Sequence, residues 1–208
     1  KTLREHYKSV GRYNAKVDPI VTTLPNNRAE ITLQIDEDDT AKLRSVTFNG
    51  NEAISSSKLQ EQMELQPDSW WKLWGNKFDG SQFDKDIQAI QDYYQNNGYA
   101  KARVTKTDVQ LNEEHTKADV TIDVSEGEKY NLSSARIVGN LGGMADELQP
   151  LLGELHLNDT FSRADVQNVE SLIKDKLGER GYGSATVNTV PTFDDANKTL
   201  ALTFVVDA

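Results

Sequence analysis

The sequence contains no cysteine among its 208 residues. Disulfide frameworks and thiolate metal sites are therefore excluded, although the compartment stays open because many periplasmic proteins also lack cysteine. The sequence also has no apolar run of about 18 residues and no signal-peptide pattern. We therefore expect this segment not to span a membrane.

Basic residues are in the minority as well. Lysine and arginine number 23 against 33 aspartate and glutamate residues, which gives a formal net charge of −10. Such a chain repels a phosphate backbone and leaves no basic patch, so nucleic acid is not an expected partner. Hydrophobic residues make up 37% of the chain, which favours several small cores over one large core.

A motif that occurs in three copies is the most informative feature of the sequence. In each copy a glycine precedes an alanine by four residues and a valine by six, and the copies lie about 85 residues apart. A second pair of stretches supports the same repeat. Residues 31–51 align without a gap on residues 120–140, and both stretches end in Gly-Asn. The glycines of the three copies are Gly11, Gly98 and Gly181.

Upstream of each repeated glycine, apolar residues recur at helical spacing and predict an amphipathic helix. Ser81 with Asp84, and Ser162 with Asp165, have the spacing of a capping box and predict where two of these helices begin. The repeated glycine stands where a helix needs a left-handed residue to stop. It is therefore predicted to end the helix and not to carry chemistry.

Strands are predicted on both sides of these helices. Residues 102–104 begin one strand, residues 118–124 alternate apolar with polar as the next, and residues 43–48 form a strand that ends at the turn 49–51. Leu59, Met63 and Leu65 suggest a shorter helix between the first strand and the long helix. The predicted fold is α+β, with tandem β-α-α-β-β modules in which two helices pack on a three-stranded mixed sheet.

Three modules of unequal completeness are predicted. Residues 1–39 hold the end of a helix and two strands, whereas residues 40–127 and 128–208 hold complete modules. The first copy begins inside its second helix, so the chain is expected to be a segment of a longer array. The joints have about three residues, which span at most about 10 Å, so neighbouring modules must touch or hinge.

These repeats resemble POTRA (polypeptide-transport-associated) domains. The resemblance covers the whole chain and rests on the GYxxAxV corners, on HYKSVGRYNAKV at 6–17, on DSWWKLWGN at 68–76 and on the closing LTFVVDA. It implies the second half of the second POTRA domain, followed by the third and fourth, of an outer-membrane barrel assembly protein.

The resemblance also implies a function. A POTRA array of this kind would be a periplasmic scaffold, not an enzyme, that receives unfolded outer-membrane proteins and docks lipoprotein subunits, and the full protein would continue into a C-terminal membrane barrel. In this family the bulged strand of the third domain is the docking site of a β-propeller lipoprotein. The alternative is the POTRA array of a related protein-secretion or organelle-import transporter.

The strand after Gly98 breaks the period of two that strands require. Its apolar residues fall on an even position at Val104 and on odd positions at Val109 and Leu111. One extra residue is needed to keep them on one face, so we predict a β-bulge between Thr105 and Asp108.

The same strand is predicted to be the partner-binding edge. The corresponding strands of the other two modules contain Pro19 and Pro191, which cannot donate a ladder hydrogen bond, whereas the middle strand has no proline. Its edge is therefore the one best able to accept an added strand. The predicted partner-binding residues are Val104, Thr105, Val109 and Leu111.

Three tryptophans within five residues are a second candidate contact. A small core seldom needs so many indoles, so at least one is expected to pack between helix and sheet and another to be an exposed contact or a wedge between domains. Trp70 and Trp71 are the candidates for that exposed contact.

Other chemistry is weakly supported. Ser55 and Lys58 have the SxxK spacing of some acyl-transfer enzymes but lack the companion motifs, so Ser55 is interpreted as a helix cap. His6, His115 and His156 stand in unrelated contexts without a second metal ligand, and the acidic run at 36–39 fits a solvated linker. We therefore expect no catalytic residue, no metal and no cofactor.

Overall fold

A computed structural model describes residues 16–24, 28–36, 41–67 and 77–208 of the chain. The chain divides into two compact units. The first unit comprises Lys1–Ile90 together with Val104–Ser125, and the second comprises Gln91–Arg103 together with Glu126–Ala208.

A two-stranded antiparallel ribbon opens the described part of the first unit. Strand β1 (Lys16–Leu24) pairs with β2 (Arg28–Asp36) in an unbroken register. The predicted strands of the incomplete module are thus present, whereas the helix predicted before Gly11 lies outside the described residues. Four apolar side chains of the ribbon are 46 to 65% exposed: Ile20, Val21, Ile31 and Leu33.

The rest of the first unit is built on a three-stranded sheet. Its order is β3 (Lys42–Asn49), β5 (Lys117–Ser125), β4 (Arg103–Leu111), and β3 runs parallel to β5. The central strand buries every second residue, as its alternation predicts. Helices α1 (Ser56–Gln60) and α2 (Gly80–Asn96) follow β3 in the chain. Core residues include Leu43, Phe48, Leu59, Phe83, Ile90, Ala118, Val120 and Ile122.

The short helix is shorter than its apolar spacing suggested. Met63 and Leu65 are buried, but both lie beyond the end of α1 at Gln60. The backbone N–H groups of Glu64 and Leu65 each donate to the carboxylate of Asp86, at 3.0 Å. The chain therefore leaves the helical path because a buried carboxylate on α2 takes these donors.

The predicted start of α2 was wrong by two residues. The helix begins at Gly80, and the carboxylate of Asp79 accepts from the N–H groups of Ser81 and Gln82, at 2.8 and 3.2 Å. Asp79 is therefore the capping residue in place of Ser81. Ser81 and Asp84 have the spacing of a capping box, but both residues lie inside the helix, so this spacing predicted the wrong start.

The second unit repeats the architecture. Its sheet order is β6 (Asn131–Asn140), β8 (Thr199–Asp207), β7 (Thr186–Asp194), with β6 parallel and β7 antiparallel to β8. A short α3 (Ala145–Leu148) continues into a 3₁₀ turn (Gln149–Glu154), and α4 (Arg163–Glu179) follows. The core includes Tyr130, Leu132, Leu148, Val169, Ile173, Leu177, Leu200, Leu202 and Phe204.

The helix boundaries at the repeated glycines are confirmed. Gly98 and Gly181 have φ angles of 94° and 95°, and the N–H of the next tyrosine reaches back to the carbonyl five residues earlier, from Tyr99 to Tyr94 and from Tyr182 to Leu177. This is the Schellman arrangement that a glycine at this position permits. At the other end of α4, the Ser162 hydroxyl accepts from the N–H of Asp165, as predicted.

The architecture is the predicted α+β fold with mixed three-stranded sheets. None of the helices in the described part of the chain has the length and apolar content needed to cross a membrane.

Candidate functional site

Strand β4 is the edge strand of the first unit's sheet, because the strand order places β5 on one side of it only. The side chains of Val104, Val109 and Leu111 are half-buried, whereas that of Thr105 is exposed. Three apolar side chains on this strand are thus neither sealed in the core nor fully in solvent. An edge strand with such side chains offers apolar contact area at the side of the sheet where another strand could be added.

The exposure pattern of β4 changes phase along the strand. Half-buried Val104 occupies an even position, and half-buried Val109 and Leu111 occupy odd positions. In β7 the half-buried apolar residues Val187 and Phe193 keep one phase, and the β7–β8 register is unbroken. The β4 exposures therefore follow the predicted phase slip, while the bulge itself stays a prediction.

A hydroxyl contact lies at the point where the slip is predicted. The Thr105 hydroxyl donates to the backbone carbonyl of Asp123 on β5, at 3.1 Å. The Ser133 hydroxyl makes the same kind of bond to Leu200, at 2.9 Å, where the β6–β8 register is irregular between Leu132 and Ser134. The Ser133 side chain thus forms a hydrogen bond to the neighbouring strand at the point where the backbone ladder is interrupted.

Proline distinguishes the other two strands from β4. Pro191 lies in β7 opposite Leu202, and Pro19 lies in β1 opposite Leu33. Neither proline has an N–H to offer an added strand. The structure therefore places both prolines within strands, while β4 is a strand without proline.

The remaining sequence candidates stay apart from this edge. Trp70 and Trp71 lie outside the described residues, so their contact role stays a prediction. Ser55 occupies the cap position of α1, but its side chain makes no capping hydrogen bond. The imidazole of His156 is exposed and lies 3.7 Å from Asp165. Among the described residues, no group of three or more metal-binding side chains comes together.

The second unit contains a charged cluster that sequence reasoning missed. Lys101 Nζ lies 2.7 Å from Asp195 and sits over the rings of Phe193 and Tyr130, 4.5 and 5.0 Å from their centroids. The Tyr130 hydroxyl donates to the same Asp195 oxygen, at 2.5 Å. We call these four residues the Lys101 cluster. The available signal was a departure from the repeat, since the third copy has Ser184 where the second has Lys101.

Backbone contacts join the same segment to the rest of the second unit. The Gly98 carbonyl accepts from the N–H of Tyr130, and the Asn96 side chain accepts from the N–H of Ala164 in the first turn of α4, both at 2.9 Å. The Tyr94 hydroxyl donates to Glu126, and burial, with this bond, raises the pKa of the tyrosine. Residues 91–103 are therefore an integral part of this unit.

Hydrogen bonding shifts the pKa values of both residues in the Lys101–Asp195 ion pair. The bond from Lys101, followed by that from Tyr130, lowers the pKa of Asp195, and the same carboxylate raises the pKa of Lys101. A carboxylate with a lowered pKa stabilises the fold above its unfolded-state pKa and loses this effect as the pH falls through the folded-state pKa. Stabilisation by this pair is therefore lost as the pH falls through the folded-state pKa of Asp195, and also as the pH rises through the raised pKa of Lys101.

Replacing Lys101 by glutamine is expected to move the Asp195 titration midpoint upward, toward the ordinary aspartate pKa, because the largest cause of the lowered pKa is removed. The measurement is an NMR titration of the side-chain carboxyl carbons. Lys174→Gln removes the same charge from an exposed site on α4 and should leave the Asp195 midpoint in place. An unchanged midpoint in Lys101→Gln would contradict the cluster.

The repeated modules match a known family. The family model described as POTRA, surface antigen variable number repeat, matches residues 41–127 and 130–208. The chain belongs to the POTRA family. Its module pattern and its α+β sheets with packed helices are those expected of POTRA domains.

Individual POTRA proteins give the same result. The chain is 33% identical over 95% of its length to the outer membrane protein assembly factor BamA of Neisseria meningitidis, and 28% identical over 100% to that of Buchnera aphidicola. It spans 25% and 34% of the lengths of these two proteins. A crystal structure of Haemophilus influenzae BamA POTRA3-5 is 75% identical and covers 80% of this chain and 66% of that one, with a TM-score of 0.73.

These matches place the chain with the POTRA region of BamA, which is non-enzymatic. The resemblance noted from the sequence is thereby confirmed.

Proposed function

We propose that this POTRA segment is a periplasmic scaffold of an outer-membrane protein assembly factor. It binds unfolded outer-membrane proteins and lipoprotein subunits, including a β-propeller lipoprotein, by adding a strand of the partner to β4. The names of the relatives support the assembly role, and the chain spans only a quarter to a third of their length, so the role of the whole protein is part of the proposal.

The observation that carries the proposal is the combination of features on β4. It is an edge strand without proline, and its apolar residues Val104, Val109 and Leu111 are half-buried. The backbone supplies hydrogen bonds that any sequence can use, and the apolar residues add area that favours particular partners.

The strength of such binding follows from the number of bonds. Four or five added backbone hydrogen bonds, each worth about 0.5–1.5 kcal/mol, barely exceed the cost of ordering an extended segment. Backbone pairing alone therefore gives weak, sequence-tolerant contacts that suit the transfer of unfolded chains. A lasting contact with a folded lipoprotein also needs apolar anchors, for which Val104, Val109 and Leu111 are the proposed residues, with Thr105 as a further contact on the same strand.

Replacing Val109 by proline is expected to reduce partner capture at this edge at least fivefold. A proline removes one N–H from the free edge and blocks the approach of a strand, and Pro191 shows that a POTRA edge strand accepts one. The measurement is photocrosslinking from position 104 in the full-length protein in cells, with antibodies against the lipoprotein and against a barrel substrate. Val109→Thr keeps the N–H and the β-branched shape and should retain capture.

A second position tests whether the edge itself is selective. Val187 stands six residues after its glycine, as Val104 does, and is also half-buried, but its strand contains Pro191. A crosslinker at position 187 should therefore capture much less partner than one at position 104. Equal capture at both positions, or full capture in a folded Val109→Pro protein, would argue against strand addition at β4.

A further inference from the structure

The sheet of the second unit has one face against its helices and one open face. The three central rows of β6, β8 and β7 place nine side chains on the open face. Three valines among them are 36 to 46% exposed. The nine residues of the central rows are Ser134, Arg136, Val138, Asn188, Val190, Thr192, Ala201, Thr203 and Val205.

On β3 and β5, the counterparts of β6 and β8, the equivalent face of the first unit is polar. Its rows pair Ser45 with Asp119, Thr47 with Thr121 and Asn49 with Asp123, so both strands offer only polar side chains. Its carboxylates are already bonded: Arg44 and Ser45 donate to Asp119, and Asn49 donates to Asp123 at 2.8 Å. The fold therefore does not require valines on this face, and their exposure in the second unit needs another reason.

Arg136 stands on β6, an outer strand of the sheet, in the row that also contains Thr203 and Val190. Its Nε donates to the Thr203 hydroxyl at 3.1 Å. Within the described ranges no carboxylate lies within ion-pair distance of Arg136, whereas Arg44, Arg163 and Arg180 each have one. The open face thus combines apolar area with a cation, although the chain as a whole is acidic.

A depression of about 420 Å³ lies beside this arginine. Its floor and walls come mostly from small side chains, and its volume falls in the range of ligand clefts, about 300–1,000 Å³. It is large enough for one aromatic or leucine-sized side chain. The residues that line it are Ser134, Ala135, Arg136, Thr192, Ala201, Leu202 and Thr203.

We propose that the open face docks an acidic protein segment, with an apolar side chain in the depression and a neighbouring carboxylate on Arg136. Charge complementarity selects this occupant, because a guanidinium pairs best with a carboxylate, and the two carboxylates on the same side of the sheet, Asp194 and Asp207, stand in its end rows and form no ion pair with Arg136. The site lies on a different sheet from β4 and does not depend on strand addition there.

The test is an NMR titration of the ¹⁵N-labelled chain with two capped tetrapeptides, Asp-Phe-Asp-Phe and Lys-Phe-Lys-Phe. The net charge of −10 attracts the basic peptide to the whole surface, so a preference for the acidic one must come from local chemistry. We expect saturable amide shifts for the acidic peptide at residues 134–138 and 201–205, and at least threefold weaker binding of the basic peptide there.

Matched variants assign the effect to the two parts of the site. Arg136→Gln should weaken the acidic peptide about three- to fivefold, as expected for an exposed charge pair, and leave the basic peptide unchanged. Lys174→Gln removes the same charge on the helical side and should change neither. Val205→Thr keeps the β-branched shape and should weaken both peptides alike.

Three outcomes would overturn the proposal. The first is equal or stronger binding of the basic peptide at these residues in a folded chain. The second is acidic-peptide shifts confined to β4 or to the edge of β7. The third is concentration-dependent dimerisation, seen by sedimentation, that Val205→Thr abolishes, because it would assign the face to a second copy of this chain.

Discussion

Replacing Asp86 by alanine is expected to lower the free energy of unfolding of the first unit by about 3 kcal/mol, since hydrogen bonds to charged groups contribute about 1.5–3 kcal/mol each. Asp86 is 2% exposed and is the one buried charged residue in the described part of the chain. Its oxygens accept from the backbone of Glu64 and Leu65 and from the Gln82 side chain, all at 3.0 Å.

The expected loss of stability comes mainly from the backbone N–H groups that lose their acceptor when the carboxylate is removed. Leu65 is 5% exposed, so its N–H cannot be satisfied by bulk water once the carboxylate is removed. The bonds also fix the chain between α1 and residue 67. Loss of Asp86 should therefore release the buried Met63 and Leu65 along with the two N–H groups.

Urea denaturation monitored by residue-resolved NMR measures this effect separately in each unit. Asp86→Asn keeps an oxygen acceptor of the same shape and should cost clearly less than Asp86→Ala. Asp84→Ala removes a carboxylate from an exposed position on the same helix and should change stability by less than about 0.5 kcal/mol. If Asp86→Ala proved no worse than Asp84→Ala, the buried carboxylate would not be what holds this loop.

The parts of the fold that the sequence predicted are those governed by local periodicity. The alternation of residues 118–124 predicts β5, and the glycine spacing predicts where α2 and α4 end, because both patterns depend on neighbours along the chain. The repeat then extends each local prediction to its copies. This is also why the POTRA resemblance could be recognised before the structure was known.

The predictions that failed depend on contacts across sequence distance. Asp79 and Ser81 are both good capping residues, and only the path of the chain into α2 decides between them. The segment that follows α1 is held by Asp86, which lies on another helix. The Lys101 cluster joins residues 94 positions apart, so no local pattern indicates it.

The candidate site shows the same division. The proline contrast and the phase slip of β4 could be seen in the sequence, because both are properties of one strand. The open face of the second unit could not, since it requires knowing that Arg136, Thr203 and Val190 form one row across three strands. A surface whose residues come from several strands therefore cannot be predicted until the strand order and register are known.

Replacing Gly98 by alanine is expected to destabilise the second unit by about 2–5 kcal/mol, considerably more than the same change at Gly181. Both glycines end a helix with nearly the same positive φ, so alanine meets the same backbone strain of about 1–2 kcal/mol at either site. The environments differ. A Cβ at Gly98 would lie 2.8 Å from side-chain carbons of Lys129 and Thr160, whereas one at Gly181 has nothing within 4 Å.

The difference between the two variants isolates the packing on the Gly98 corner, which at such overlap costs about 1–3 kcal/mol. Amide hydrogen exchange supplies a local readout, because the N–H of Tyr130 donates to the Gly98 carbonyl. Exchange at Tyr130 should accelerate in Gly98→Ala beyond the change seen in Gly181→Ala. Equal losses of stability, with equal exchange at Tyr130, would show that the corner is only a helix stop and that the contacts of residues 91–103 do not hold the second unit together.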